Sequence, residues 1–338
     1  MIGFAILGCG RIGRIHARNI RAHAGAELVA CYDVAGLAAA VVAAELGAFQ
    51  AQSVDEVLAE PRVRAVLIAS STDTHVELIA RSVQAGKAVL CEKPIDLDIA
   101  RVDACWRAIS GLRPMVMLGF NRRFDPSFRA LRDRVVAGEI GRVEQVVITS
   151  RDPAPPPASY VAGSGGLFRD MTIHDFDMTI HDFDMARYLA GDIVEVQAMG
   201  ANLIDPEIQA EGDIDAAMLV MRAASGALVH INNSRRCAYG YDQRIEVFGH
   251  AGMLQAHNRH PTTVEAWGRE CTRAMDPVQD FFITRYADAY RAELDHFIEC
   301  METGAAPLAG FAEGREALRL ADAALESMAS GRVVRLGQ

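Results

Sequence analysis

The residues best suited to moving a proton in this 338-residue chain are two copies of one pattern, Asp170-x-x-x-His174 and Asp177-x-x-x-His181. An imidazole titrates near neutrality and a carboxylate can orient it, which suits reversible proton transfer. The copies arise because Met171-Thr172-Ile173-His174-Asp175-Phe176-Asp177 is followed directly by the same heptapeptide, Met178 to Asp184. Seven residues turn an α-helix through about 700°, close to two full turns, so in a helix both pairs face the same way. His174 and His181 would then stand roughly 10 Å apart along the axis, too far to share an ion, and no metal site is expected. Asp175 and Asp182 read as residues that solvate the helix surface.

A second set of residues could hold a dinucleotide. Gly8-Cys9-Gly10-Arg11-Ile12-Gly13 is G-x-G-x-x-G, placed after an apolar strand and at the start of a helix. Its glycines permit a tight turn and close approach of a pyrophosphate to the helix N-terminus. Asp33 ends the next strand, 20 residues past Gly13, where a carboxylate can accept hydrogen bonds from the ribose hydroxyls. That carboxylate repels a 2′-phosphate, and Val34-Ala35-Gly36 offers no arginine to bind one, so NAD is expected rather than NADP. Ser71-Thr72-Asp73-Thr74-His75 follows the third major strand, and Glu92-Lys93-Pro94 follows the next. Ser71, Thr72, His75, Glu92 and Lys93 therefore fall on the carboxyl edge of a parallel sheet, where ligands of such folds bind, and are read as further cofactor contacts.

The elements that must position these groups are legible as alternating strand and helix signals over the first 120 residues. Short β-rich runs at Phe4–Leu7, Glu27–Tyr32, Ala65–Ala69, Ala88–Cys91 and Met115–Gly119 alternate with helical stretches at Gly13–Ala24, Leu37–Leu46, His75–Ala85 and Ile99–Ile109. This βαβ rhythm predicts a doubly wound parallel sheet of Rossmann type. It changes near Asn121. A helix over Pro126–Ala137 and a strand over Val143–Ser150 lead into a proline- and glycine-rich loop, then into the doubled segment, read as a helix ending near Gly191. Strand signals follow without intervening helices at Ile193–Ala201, Asp215–Met221, Ala227–Ser234, Gln243–Phe248, Met253–His257 and Thr263–Trp267. They predict a large open, mostly antiparallel sheet. Helices over Phe281–Thr303 and Ala312–Ser330 close the chain. The expected architecture is α/β: an NAD-binding domain over 1–120 and an α+β domain over 121–338 for substrate binding and oligomerisation, with the site between them. The last helices can return to the first domain.

Composition excludes several classes. With 34 basic against 44 acidic residues the net charge is −10, which disfavours nucleic acid and anionic membrane as partners. No apolar run approaches the ~20 residues needed to span a bilayer, and the start lacks the basic region of a secretory signal. Seven scattered cysteines without a C-x-x-C pair fit a reduced, cytoplasmic protein with neither a disulfide framework nor a zinc site.

Five motifs in order carry a family resemblance. They are the glycine fingerprint, Ser71-Thr72-Asp73-Thr74-His75, Glu92-Lys93-Pro94, Gly119-Phe120-Asn121-Arg122-Arg123-Phe124-Asp125, and Gly165-Gly166-Leu167-Phe168-Arg169-Asp170-Met171-Thr172-Ile173-His174. Together the chain resembles the Gfo/Idh/MocA family of NAD(P)-dependent sugar and polyol dehydrogenases, most of all its inositol 2-dehydrogenase branch, and the resemblance extends through Tyr239-Gly240-Tyr241-Asp242-Gln243 to the end. It implies that Lys93 hydrogen-bonds the reacting hydroxyl and touches the nicotinamide ribose. It further implies that the Asp-x-x-x-His pair holds and deprotonates that hydroxyl while nicotinamide C4 takes the hydride. Arg122, Tyr239 and Tyr241 are implied as contacts to substrate hydroxyls, and a homotetramer as the assembly.

The doubling departs from the family, whose members carry one copy. Spacing from Lys93 favours Asp170/His174. Packing favours Asp177/His181, because Met185-Ala186-Arg187-Tyr188-Leu189 must dock its apolar face, and sliding the helix two turns (about 11 Å) would disrupt that. Seven extra residues in a preceding loop cost little closure entropy. Asp177/His181 is taken as the working pair, with Asp170/His174 as the alternative register. Expected activity is NAD-dependent oxidation of a secondary alcohol on a cyclic polyol, inositol to keto-inositol. The rivals are an aldose 1-dehydrogenase, an NAD-dependent glycosidase of the same family, and an NAD-binding regulator without turnover.

Overall fold

The computed structural model describes residues 1–155, 166–168 and 179–337. The first copy of the heptapeptide, with Asp170, His174, Asp175 and Asp177, lies outside the described residues. The chain divides into two compact units, of which the first holds Met1–Phe124 and Ala289–Leu318.

In the first unit, strands β1 (Ile2–Leu7), β2 (Ala26–Tyr32), β3 (Phe49–Gln50), β4 (Ala65–Ile68), β5 (Ala88–Cys91) and β6 (Val116–Leu118) form a six-stranded sheet in the order β3-β2-β1-β4-β5-β6. Every pairing is parallel. Helices α1 (Arg11–Ala22), α2 (Gly36–Leu46), α3 (Val54–Ala59), α4 (His75–Gln84) and α5 (Ile99–Ile109) connect them. All six residues of β1, Ile-Gly-Phe-Ala-Ile-Leu, are buried, as a parallel strand covered on both faces requires. The order places the reversal of winding between β1 and β4, so the carboxyl ends of those strands open a crevice at the glycine turn.

Two short elements of this unit, β3 and α3, were not anticipated, although α3 carries a readable signal. Ser53 accepts from the Glu56 amide while the Glu56 carboxylate accepts from the Gln52 amide, a capping arrangement in Ser-x-x-Glu. Two helices near the end of the chain contribute to the same unit: α10 (Ala287–Thr303) and the first residues of α11 (Phe311–Ser330). Phe297 of α10 packs on Phe4 of β1 with ring centroids 5.9 Å apart, and Phe311 stacks on Trp106 of α5 at 5.0 Å. Burying one such ring contributes about 1.5–3 kcal/mol, enough to tie a distant helix to the sheet.

The second unit is built on helix α6 (Pro126–Val136), strand β7 (Val143–Arg151), helix α7 (Thr179–Ala190) and strand β8 (Ile193–Ala201), then helix α8 (Pro206–Ala210) and strands β9 (Ala216–Ala223), β10 (Leu228–Ser234), β11 (Asp242–Gly249) and β12 (Gly252–Ala256). A small hairpin, β13 (Glu265–Ala266) and β14 (Ala274–Met275), helix α9 (Phe282–Arg285) and strand β15 (Val334–Arg335) complete it. The seven-stranded sheet runs β12-β11-β7-β10-β9-β8-β15. Its pairings are antiparallel except β7 with β10. Parallel pairing needs a long crossover, and the chain between Arg151 and Leu228, carrying α7, β8 and β9, supplies it. Burial alternates along β9, with Ala217, Leu219 and Met221 inside and Met218 and Val220 outside, so one face of the sheet is covered and the other open.

The helix anticipated over Phe281–Thr303 is two helices broken at Tyr286. Both residues at the break have tertiary partners. The Arg285 guanidinium pairs with the buried Asp125 carboxylate, and the Tyr286 hydroxyl donates to Gln243 Oε1 at 3.2 Å. The strand anticipated over Thr263–Trp267 is only the two-residue β13. Among the described residues no helix is long and apolar enough to cross a membrane.

Candidate active site

The glycine turn has the shape its motif implies. Gly8 has φ +101°, and a Cβ there would meet the Ala69 backbone at 2.4 Å, so only glycine is accommodated. At Gly13 a Cβ would strike the Gly8 carbonyl oxygen at 2.0 Å, which lets α1 start hard against the turn. Gly10, the N-cap of α1, has nothing within 4 Å of its Cβ position, and the helix has neither a side-chain cap nor an acid in its first turn. An N-terminus with no side-chain cap and no acid of its own is a suitable setting for an anionic ligand. Asp33 is pinned beside them: Oδ2 accepts from the Cys9 amide at 2.6 Å and Oδ1 from the Ala35 amide at 2.7 Å. A carboxylate with four acceptor positions retains room for a ribose diol. These residues fit the adenosine and pyrophosphate of NAD, and the exposed Val34 beside Asp33 offers no charge to a 2′-phosphate.

The turns after β4 and β5 are bolted together. Ser70 and Thr74 hydroxyls share a hydrogen bond of 2.7 Å, and Thr72 is buried. His75 lies with Nδ1 2.7 Å from the Pro94 carbonyl and Nε2 3.1 Å from the Ser70 carbonyl. Burial drives the His75 imidazole below its ordinary pKa. His75 is therefore a brace between Ser71-Thr72-Asp73-Thr74 and the Glu92-Lys93-Pro94 turn, whose Lys93–Pro94 peptide is cis. Glu92 and Lys93 are both buried, and Glu92 Oε1 accepts from His16 Nε2 at 2.7 Å. The other oxygen explains Gly119, where a Cβ would come within 2.7 Å of Glu92 Oε2. Arg122 follows on the turn Asn121–Phe124 and is buried. His16 is a residue that the motifs do not mark, since a histidine on the buried face of an amphipathic helix carries no local signal of its partner.

In the second unit, His181 sits on α7 and is buried. The apolar face of that helix is docked, with Ile180, Phe183, Met185, Ala186 and Leu189 all buried. Its polar neighbours are fixed as well. Asp182 Oδ1 accepts from the Ser150 hydroxyl at 2.7 Å and Oδ2 from the Asn233 amide nitrogen at 2.7 Å. The Thr179 hydroxyl donates to Asn233 Oδ1 at 3.0 Å. Asp182 is fully buried, which corrects its reading as a solvating residue: β7 and β10 supply donors that outweigh its hydration. Ser150 and Asn233 were missed because they lie on strands remote in sequence from the helix they serve.

Tyr239 and Tyr241 flank Gly240, whose φ of +118° turns the chain between them. Tyr241 is buried with its ring edge-on to Tyr286 at 6.1 Å. Tyr239 is 51% exposed. Its hydroxyl donates to Asp242 Oδ2 at 2.6 Å and accepts from Arg151 Nη1 at 2.9 Å. Burial and the Asp242 carboxylate push the Tyr239 phenol up to about 12, so it is a hydrogen-bonding group rather than a base. Burial opposes ionisation of Asp242, but donors from Arg244, Tyr239 and Asn258 outweigh it and hold the carboxyl below its usual range.

A parallel six-stranded sheet with a glycine turn and an aspartate pinned beside it, followed in the chain by a unit with an open mixed sheet, is the architecture of a nicotinamide-dependent oxidoreductase. Residues 2–120 match the oxidoreductase family with an NAD-binding Rossmann fold, and residues 128–255 match the GFO/IDH/MocA C-terminal domain. The chain belongs to the Gfo/Idh/MocA family and is an NAD-dependent dehydrogenase. It is 47% identical over 335 residues to an inositol 2-dehydrogenase of Rhizobium meliloti, covering 98% of each. A crystal structure of a myo-inositol dehydrogenase from Corynebacterium glutamicum superposes with a TM-score of 0.95 at 48% identity, over 100% of this chain and 99% of that one. That of scyllo-inositol dehydrogenase from Lactobacillus casei, with bound NAD(H) and scyllo-inositol, gives 0.90 at 30% identity over 99% of each.

Proposed function

We propose that the protein oxidises a secondary hydroxyl of inositol to the ketone, releasing one proton as NAD is reduced. When bound, NAD accepts the hydride at nicotinamide C4. In this reading residues 1–120 bind NAD and residues 121–338 bind the polyol. Lys93 donates a hydrogen bond to the reacting oxygen and stabilises the alkoxide that develops there. His181, oriented by Asp177, takes the hydroxyl proton. Arg122, Tyr239 and Tyr241 bind the remaining hydroxyls of the ring. Asp170/His174 is the alternative register for the acid–base pair.

The observation that carries the reading is the setting of His181: a buried imidazole on a helix anchored by Asp182 to Ser150 and Asn233. A base held on a rigid element needs little reorganisation to meet its substrate. Similarity to enzymes named for inositol supports the substrate class. The test is incubation with NAD and a panel of inositols and hexoses, followed at the NADH absorbance. Reduction of NAD by myo- or scyllo-inositol, with little reduction of NADP, is expected. Turnover confined to aldoses would establish the sugar 1-dehydrogenase, and aglycone release without net NADH the glycosidase. No reaction with any of them would leave the regulator.

The open face of the seven-stranded sheet supports a homo-oligomer, a tetramer in the family pattern. Met199, Met218, Val220, Leu228, Phe248 and Met253 are all exposed, on strands β8, β9, β10, β11 and β12. An apolar surface of that extent is rare on a monomer. Light scattering on the purified protein is expected to give a multiple of 36.6 kDa; a monomer at micromolar concentration would refute it. Seven free cysteines, six of them buried, support a reducing compartment such as the cytoplasm.

A further inference from the structure

Glu293 is a carboxylic acid deep inside the dinucleotide-binding unit. It lies on α10, is 0% exposed, and neither of its carboxyl oxygens has a hydrogen-bond partner among the described residues. One turn earlier on the same face, Tyr290 presents its ring at 90° to His16, with centroids 5.4 Å apart. His16 is the residue bonded to Glu92. The face of α10 that carries Tyr290 and Glu293 thus meets the His16–Glu92 pair. Burial, and then the charge on Glu92, push the Glu293 carboxyl well above the usual carboxylate range.

Two neighbouring carboxyl groups in a dry interior cannot both ionise. Glu92 has the donor, His16 Nε2 at 2.7 Å, and so keeps the charge, while Glu293 keeps its proton. Among the described residues nothing in the packing calls for a glutamate here, since an aliphatic side chain of similar volume would fill the space without burying unbonded polar atoms. The next residue after Glu92 is Lys93, and the charges of both act on the same His75 ring. The carboxylate that Glu293 faces is therefore the buried counter-charge on the turn that carries the lysine.

We propose that Glu293 is a positioning residue: as a neutral acid it turns its dipole toward Glu92, and so helps hold the His16-bonded carboxylate as the single negative charge behind Lys93. The inference rests on the reading that Lys93 acts on the reacting hydroxyl. A glutamine keeps the shape and a donor dipole, whereas a leucine keeps only the volume. Glu293→Gln is expected to retain at least about a third of kcat, and Glu293→Leu to lose about tenfold, with KM for NAD changed less than twofold in both. Infrared difference spectroscopy of the substrate-free protein is expected to show a buried carboxylic-acid carbonyl band that Glu293→Gln removes. The proposal is overturned if leucine matches glutamine in kcat, or if that band is absent from the unaltered protein. Should Glu293→Leu not unfold cooperatively, Glu293→Met replaces it in the comparison. If the unaltered protein oxidises no polyol, the functional reading fails, and the carbonyl band alone then upholds or overturns the neutral acid.

Discussion

Lys93→Met is expected to lower kcat for inositol oxidation by about a thousandfold, equivalent to ~4 kcal/mol of transition-state stabilisation. Methionine keeps the length and apolar stem of lysine, so the buried position stays filled and only the ammonium is removed. The turn around it is held independently, by His75 to the Pro94 carbonyl and by His16 to Glu92, so the backbone should not follow the lost charge. The deficit therefore belongs in kcat. KM for NAD is expected to rise only a few-fold, because in the proposed reading the other end of the dinucleotide is held apart from Lys93, at the glycine turn and at Asp33, which is fixed by the Cys9 and Ala35 amides. Steady-state kinetics with calorimetric NAD binding separate the two quantities. A kcat within tenfold of the unaltered protein would remove Lys93 from the chemistry.

His181→Ala is expected to cost a similar factor, about a thousandfold in kcat, while His174→Ala stays within about threefold. The asymmetry follows from α7. Thr179–Asp184 of the second copy open a helix whose Met185, Ala186 and Leu189 are buried, and its Thr179 and Asp182 are bonded to Asn233 and Ser150. Putting the first copy in that place would offer the same two anchors, through its own threonine and aspartate, but would slide Met185, Ala186 and Leu189 by about 10.5 Å from the positions they fill. If only His174→Ala abolishes turnover, the register is the alternative one with Asp170. The double variant Lys93→Met with His181→Ala adds a second check: groups that act on one hydroxyl lose far less together than the product of their separate losses.

Much of the cofactor half was legible in residue order. Gly8, Gly10, Gly13 and Asp33 lie within one βαβ segment, where short-range sterics dictate that only glycine turns so tightly and that a strand-end carboxylate faces the turn. The parallel sheet could be read from apolar runs such as Ile2–Leu7, because burial on both faces leaves a strand no polar position. The second unit was less legible. Asp182 looks polar on a helix and was read as solvated, yet its partners come from β7 and β10, 32 and 51 residues away. The break at Tyr286 and the parallel pairing of β7 with β10 likewise depend on partners that no local window contains.

The twice-written heptapeptide shows where the division falls. Residue order alone decides that two Asp-x-x-x-His pairs exist, that in a helix they would share one phase, and that a glycine turn is followed by an aspartate at the end of the next strand, because helix periodicity and backbone sterics are properties of neighbours in the chain. It cannot tell two identical heptapeptides apart, since each has the same composition and the same period. Tertiary packing distinguishes them: Asn233 and Ser150 bond Thr179 and Asp182 of the second copy, and burial lets those bonds count. Packing likewise decides that Glu92 meets His16 and that the buried Glu293 finds no donor among the described residues, because charge and desolvation depend on what lies within a few ångströms in space rather than along the chain.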